Sequence, residues 1–197
     1  MGKGEVTRQR IVEHAANLAS RTGLEGLSIG GLAEDLGISK SGLFAHFRSK
    51  DALAVQVLEH AAARFVEVVV KPALAAPRGE PRLRAVFDRW REWPEKSGME
   101  GGCFFVAAAA ELDDRPGPAR DLLVRQQRDW LEIVAGVVRS GIAEGQFRKD
   151  LDPDQIAYEL YGLLLAFHHA RRLLRDPKAE TRARRSFEDL LARARRP

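Results

Sequence analysis

Residues 28–47 read SIGGLAEDLGISKSGLFAHF and hold the chain's densest set of side chains suited to contacting another polymer. Two short amphipathic stretches joined by Gly37 and Ile38 have the pattern of a helix-turn-helix, with glycine supplying the sharp turn. Leu32, Leu36, Ile38, Leu43 and Phe47 can lock the two stretches together. At about 100° per residue, Leu43 and Phe47 face inward. That turns Ser41, Gly42 and Ala45 outward and puts Lys40, Phe44 and His46 on the flanks. The outward face is small and uncharged in its middle, as close approach to base edges in a major groove requires. Lys40 and Ser41 suit hydrogen bonds to bases or phosphates, and the Ala45 methyl suits a thymine methyl. Ser39, Lys50 and the open N–H groups of the helix starts suit phosphate oxygens. Compact helical corners share this spacing, so geometry alone leaves a purely architectural role open.

The elements that must position these residues are all helical. Short β-branched runs such as Val68-Val69-Val70 sit inside 3.6-residue patterns, and no polar/apolar alternation marks a strand. Glycine, proline and cap residues predict nine helices, the first over about Thr7–Thr22 and closed by Gly23. The second covers about Ile29–Leu36 and the third Lys40–Phe47. The fourth runs from the Ser49 cap to about Lys71 before Pro72, with Leu53, Val57, Leu58, Ala61, Phe65 and Val69 as its stripe. Ser28, Ser39 and Ser49 each precede an apolar pattern, and each such cap is worth ~1 kcal/mol. Beyond the Pro/Ala/Gly-rich stretch 72–81, helices are expected at about Arg82–Trp93, Gly102–Leu112, Pro118–Glu144, Pro153–Arg175 and Lys178–Arg195.

Composition bounds the function classes. The 197 residues are 45% hydrophobic and 30% charged, the balance of a chain with a packed core. The longest apolar run, Cys103–Ala110, is far short of the ~20 residues that span a bilayer. The polar start Met1–Arg10 predicts no secretory signal. Gly2 predicts no myristoylation, because Val6 stands where Ser or Thr is needed. One cysteine allows no internal disulfide, so the expected location is cytoplasmic. The net charge of +4 is uneven: residues 1–50 carry +2, 51–170 carry −4, and 171–197 carry +6. Overall charge therefore does not locate a nucleic-acid surface.

From about Thr7 to Val57, and most strongly over LAEDLGISKSGLFAHFRSKDAL at residues 32–53, the sequence resembles the TetR (AcrR-type) transcriptional regulators. The resemblance implies an all-α chain with a three-helix DNA-binding head over residues 4–64 and a helical ligand and dimer domain over 65–197. Carried over by position, Lys40, Ser41, Gly42, Phe44 and His46 fall on the recognition helix, and Ser28 and Lys50 at helix starts that touch phosphate. Phe44 stands where tyrosine is common and Gly42 where threonine is, and Gly30 and Gly31 occupy the first turn of the second helix. The implied function is a ligand-responsive regulator, a repressor, that binds a pseudo-palindromic operator as a homodimer and is released by a small apolar or amphipathic effector. The rival is a small-molecule-modifying or binding protein that uses its C-terminal pocket without regulating transcription.

The segment GGCFFVAAAAELDDRPGPARD, beginning at Gly101, resembles one found in a subset of these regulators. Trp90, Trp93, Phe104, Phe105, Trp130, Tyr158 and Tyr161 are candidates to line an effector pocket, or else ordinary core aromatics. Leu160, Leu163, Leu164 and Phe167, with Phe187 and Leu191 on the last helix, are expected at a dimer interface, because the resemblance implies a four-helix bundle between two copies. The arginines from Arg171 to Arg196 read as a solvated face. Cys103 reads as a small buried hydrophobe rather than a redox centre. His168 and His169, near Glu111, Asp113 and Asp114 only in type, lack metal-ligand spacing. The expectation is therefore no metal, no cofactor, no catalytic residue and no membrane partner.

Overall fold

A computed structural model describes residues 3–195, so Gly2 and Arg196 lie outside the described residues. The elements are α1 (Lys3–Thr22), α2 (Ile29–Asp35), α3 (Lys40–His46), α4 (Lys50–Phe65), α5 (Lys71–Ala75), α6 (Glu80–Lys96), α7 (Phe104–Leu112), α8 (Pro118–Ala143), α9 (Pro153–Arg172) and α10 (Ala179–Ala194). A π-helical turn, Val66–Val70, precedes α5. Among the described residues no strand forms beyond a single bridge between Phe147 and Arg195. None of the described helices is long and apolar enough to cross a membrane.

The nine helices expected from the sequence are all present, and α5 is an addition. It arises because Pro72 does not end the helical run as expected: it sits in the first turn of α5. In a regular helix its ring would meet the carbonyl four residues back, and the wider π turn over Val66–Val70 relieves that crowding. Likewise α6 runs through Pro94 to Lys96. There the proline lies in the last turn, so the bond to the Trp90 carbonyl is lost but little helix lies beyond it to be disturbed.

By compactness the chain forms two units, Met1–Phe65 with Pro94–Gln126, and Val66–Trp93 with Gln127–Pro197. In the first, α1 packs on α4 and α2 on α3. Ile11, Ala15, Leu32, Leu43, Phe47, Leu53, Val57 and Leu58 form its buried interior. The serine caps form as expected, each Oγ accepting the amide three residues on: Gly31 to Ser28 at 2.9 Å, Gly42 to Ser39 at 3.0 Å and Ala52 to Ser49 at 3.0 Å. At the far end of α2, Gly37 takes φ +64°. Ile38 N–H then reaches Ala33 O at 2.9 Å and Gly37 N–H reaches Glu34 O at 3.1 Å, the paired bonds of a glycine-ended helix.

In the second unit α9 packs against α10. Phe187 stacks on Phe87, with ring centroids 4.2 Å apart and planes 6° from parallel. An ion ladder runs beside that stack. Arg84 donates to Glu80 at 2.9 Å and to Glu188 at 2.8 Å, and Arg91 pairs with Glu180 at 3.1 Å. Arg195 returns to Glu80, and Arg148 N–H reaches Ala194 O at 2.9 Å.

Candidate nucleic-acid interface

The sequence of α3 decides which side chains it presents. Leu43 and Phe47 are buried, and Arg8 lies over the Phe47 ring at 5.5 Å. Lys40, Ser41, Phe44 and Ala45 are exposed, and Gly42 and His46 are partly so. The large ring of Phe44 is 51% exposed, a costly placement for an apolar side chain unless something covers it. Ser39 and Ser41 are joined Oγ to Oγ at 3.1 Å. A Cβ added at Gly42 would meet Ser39 Oγ at 3.1 Å, and one added at Gly31 would meet Ser28 Oγ at 2.9 Å. The two helix starts are thus built alike: a serine cap whose donor, three residues on, carries no side chain. The tip of Lys40 runs close beside Gly30, whose added Cβ would lie 3.2 Å from Lys40 Cε.

Lys50 opens α4, where its ammonium donates to the Glu25 carbonyl at 2.8 Å and faces the Glu25 carboxylate at 3.5 Å. Glu25 also pairs with Arg115 at 2.6 Å. Ser28, Ser39 and Lys50 therefore lie at the starts of α2, α3 and α4 respectively. His60, on α4, is held below the ordinary imidazole range by burial, with the cation of Arg64 adding to the effect and Glu13 opposing it.

The aromatic set divides between the two units. Phe104 and Phe105 belong to the first unit, where Phe105 meets Phe65 and Phe104 edge-on at 5.6 and 5.7 Å. Trp90, Trp93, Trp130, Tyr158 and Tyr161 belong to the second. The three tryptophans are buried, and Tyr161 donates to Gln127 at 2.7 Å. Tyr158 is 73% exposed and lines no interior. Cys103 is buried at the N-terminal cap of α7. Burial and the nearby Arg172 cation lower His168 from its ordinary pKa.

The residues expected at a dimer face lie on α9 and α10. Leu160, Leu164, Phe167, Phe187 and Leu191 are buried by the chain's own helices, and Leu163 is partly covered. Side chains already out of water have no further area to give a partner. The period of the apolar stripe was visible, but a stripe does not say whose helix covers it. The exposed side of α9 is Tyr158, Gly162, Ala166 and His169, continued by Leu173. Sequence reasoning also missed Glu111 and Gly101, whose roles depend on contacts across 80 or more residues of chain and leave no local pattern.

Comparison with known proteins fits this geometry. A family model described as bacterial regulatory proteins of the tetR family matches residues 11–57. A second, described as a tetracyclin repressor-like C-terminal domain, matches residues 79–187. The HTH-type transcriptional repressor DhaR of Mycobacterium sp. (strain GP1) is 26% identical over 153 residues, covering 76% of this chain and 74% of that protein. The HTH-type transcriptional repressor KstR2 of Mycobacterium tuberculosis is 26% identical over 161 residues, covering 78% and 76%. A TetR transcriptional regulator from Chloroflexus aurantiacus superposes with a TM-score of 0.86 at 28% identity, over 98% of this chain and 96% of that one. AibR, solved with isovaleryl coenzyme A and operator DNA, shares the fold at a TM-score of 0.68 and 20% identity, over 82% and 85%.

Proposed function

The chain belongs to the TetR family of bacterial regulators, and from that premise we propose that it is a ligand-responsive transcriptional repressor. It acts as a homodimer on a pseudo-palindromic operator in the cytoplasm and leaves the DNA when a small apolar or amphipathic effector binds. The observation that carries this is the face of α3, where Lys40, Ser41, Phe44 and Ala45 stand in solvent while Leu43 and Phe47 anchor the helix from behind. A helix held by its rear and small at its front can enter a major groove.

Residues 4–64 form the DNA-binding domain, and 65–197 carry effector binding and dimerisation. The boundary draws support from the two family matches, which end at 57 and begin at 79. Lys40, Ser41, Gly42, Ala45 and His46 face base edges, Phe44 packs on the sugar-phosphate edge, and Ser28, Ser39 and Lys50 take phosphates. The second copy covers the open side of α9, along Tyr158, Gly162, Ala166 and Leu173. Two heads then meet successive major grooves about 34–36 Å apart or a multiple of that spacing. The effector must bind the DNA-incompetent arrangement more tightly than the competent one, because equal affinity would shift nothing. The buried aromatics Trp90, Trp93, Phe104, Phe105 and Trp130, with Tyr161, are the candidates for its contacts. The repressor names of the two mycobacterial relatives favour repression over activation.

The test is an electrophoretic shift with the chain's own upstream DNA against an unrelated duplex of equal length. Specific retardation at moderate salt is expected; equal retardation of both duplexes, or none, overturns the proposal.

A further inference from the structure

Glu111 closes a seam inside the first unit. It lies in the last turn of α7, and its Oε2 accepts the backbone amide of Leu24 at 2.7 Å and that of Glu25 at 3.4 Å. Both amides belong to the turn that leads from α1 to α2. Gly23, which opens the turn at φ +78°, has no Cβ, and one built there would lie 1.5 Å from Glu111 Oε1. The carboxylate occupies the space that a side chain at 23 would take.

Two more bonds join the same stretches of chain. Glu100 N–H reaches Asn17 Oδ1 at 3.0 Å, and Gly101 N–H reaches Ser20 Oγ at 2.9 Å. Ser20 is buried, and its hydroxyl donates to Asn17 O at 2.6 Å. The end of α1 and the following turn are thus fixed to residues 100–111 by four amide bonds, two of them gathered by one carboxylate. A charged acceptor makes such bonds stronger than neutral pairs. Just beyond the turn, Leu27 is buried and Ser28 caps α2.

We infer that Glu111 is a positioning residue for the DNA-reading face, holding the α1–α2 turn, and with it the capped start of α2, in the orientation that DNA requires. This rests on the DNA-binding reading above. Without the carboxylate the turn samples more orientations, and the freedom lost on binding must be taken from affinity. No cation is removed, so the number of phosphates neutralised stays the same.

The experiment compares full-length wild type, Glu111→Ala and Glu111→Gln by amide hydrogen exchange, thermal unfolding and binding to the upstream duplex across a salt series. Expected for Glu111→Ala is exchange at Leu24 and Glu25 faster by about tenfold, with α9 and α10 unchanged. Duplex affinity should fall about three- to tenfold with an unaltered salt slope. Glu111→Gln, whose amide oxygen still accepts, should recover most of both. Should the alanine variant unfold, the glutamine variant at its milder defect carries the same comparison. Unchanged exchange at Leu24 and Glu25, or unchanged duplex affinity in the alanine variant, overturns the inference while leaving the DNA reading intact. Wild type that binds no duplex overturns both.

Discussion

The Arg195 guanidinium donates to both oxygens of the Glu80 carboxylate, through Nε at 2.8 Å and Nη2 at 2.7 Å, and so clasps the end of α10 to the start of α6. The Arg195 bond, with lesser help from Arg84 and against a desolvation cost, lowers Glu80 from its ordinary 4.5 to about 2. A depressed carboxyl pKa contributes stability that is present above the unfolded value and is lost as pH falls through the folded one. The contribution of Glu80 is therefore complete above about 4.5 and fades between there and about 2. Glu80→Gln should lower the melting temperature at pH 7 by ~2–4 °C, the scale of a 1 kcal/mol loss in a chain of this length. The gap to wild type should close as the melt is repeated toward pH 3.

Gly101 has no room for a side chain. A Cβ there would lie 1.6 Å from Ser20 O, a backbone atom that cannot swing aside. Gly101→Ala should cost on the order of 2–3 kcal/mol, as overpacking against backbone does. Denaturant unfolding checks it. An unchanged midpoint would mean that the seam between Ser20 and residue 101 opens freely.

Phe187 and Tyr158 should separate folding from association. Phe187, stacked on Phe87, is buried. Its replacement by alanine should destabilise the fold by ~3–5 kcal/mol. Tyr158 is 73% exposed, so Tyr158→Asp should leave the melt near wild type at low protein concentration while shifting the mass seen by light scattering from dimer toward monomer. A dimer undisturbed by the Asp substitution would place the two-fold contact elsewhere.

Lys50 and Ser41 should differ in kind when each is truncated. Lys50→Ala removes a cation, so binding should weaken for every duplex and the salt slope should fall by about one. Ser41→Ala removes a groove-facing hydroxyl and should mainly relax base preference at one operator position, with discrimination falling by ~1–3 kcal/mol. Fluorescence anisotropy on matched and mismatched duplexes distinguishes the two. Identical, sequence-blind losses would mean that another side of α3 faces the bases.

What the sequence revealed was local. Ser28, Ser39 and Ser49 before apolar patterns, Gly37 at a positive φ, and the α4 stripe from Leu53 to Phe65 are all signals written within a few residues of where they act. They placed α2, α3 and the start of α4 closely and separated the buried from the exposed side of α3. What stayed hidden was the identity of each neighbour. Pro72 read as a stop because a π turn upstream has no sequence signature. That Phe187 stacks on Phe87 was not legible, because an apolar period does not say which helix lies against it. Glu111 entered the sequence analysis only as a carboxylate without metal-ligand spacing, because Leu24, whose amide it accepts at 2.7 Å, lies 87 positions away.

The brevity of α3 has a practical corollary. Its seven residues fall below the length at which a helix persists alone in water. A synthetic peptide copied from that stretch would be shapeless. Anyone transplanting its specificity into another scaffold must bring along the sockets that receive Leu43 and Phe47, because those sockets, rather than the letters facing outward, keep the reading head in shape.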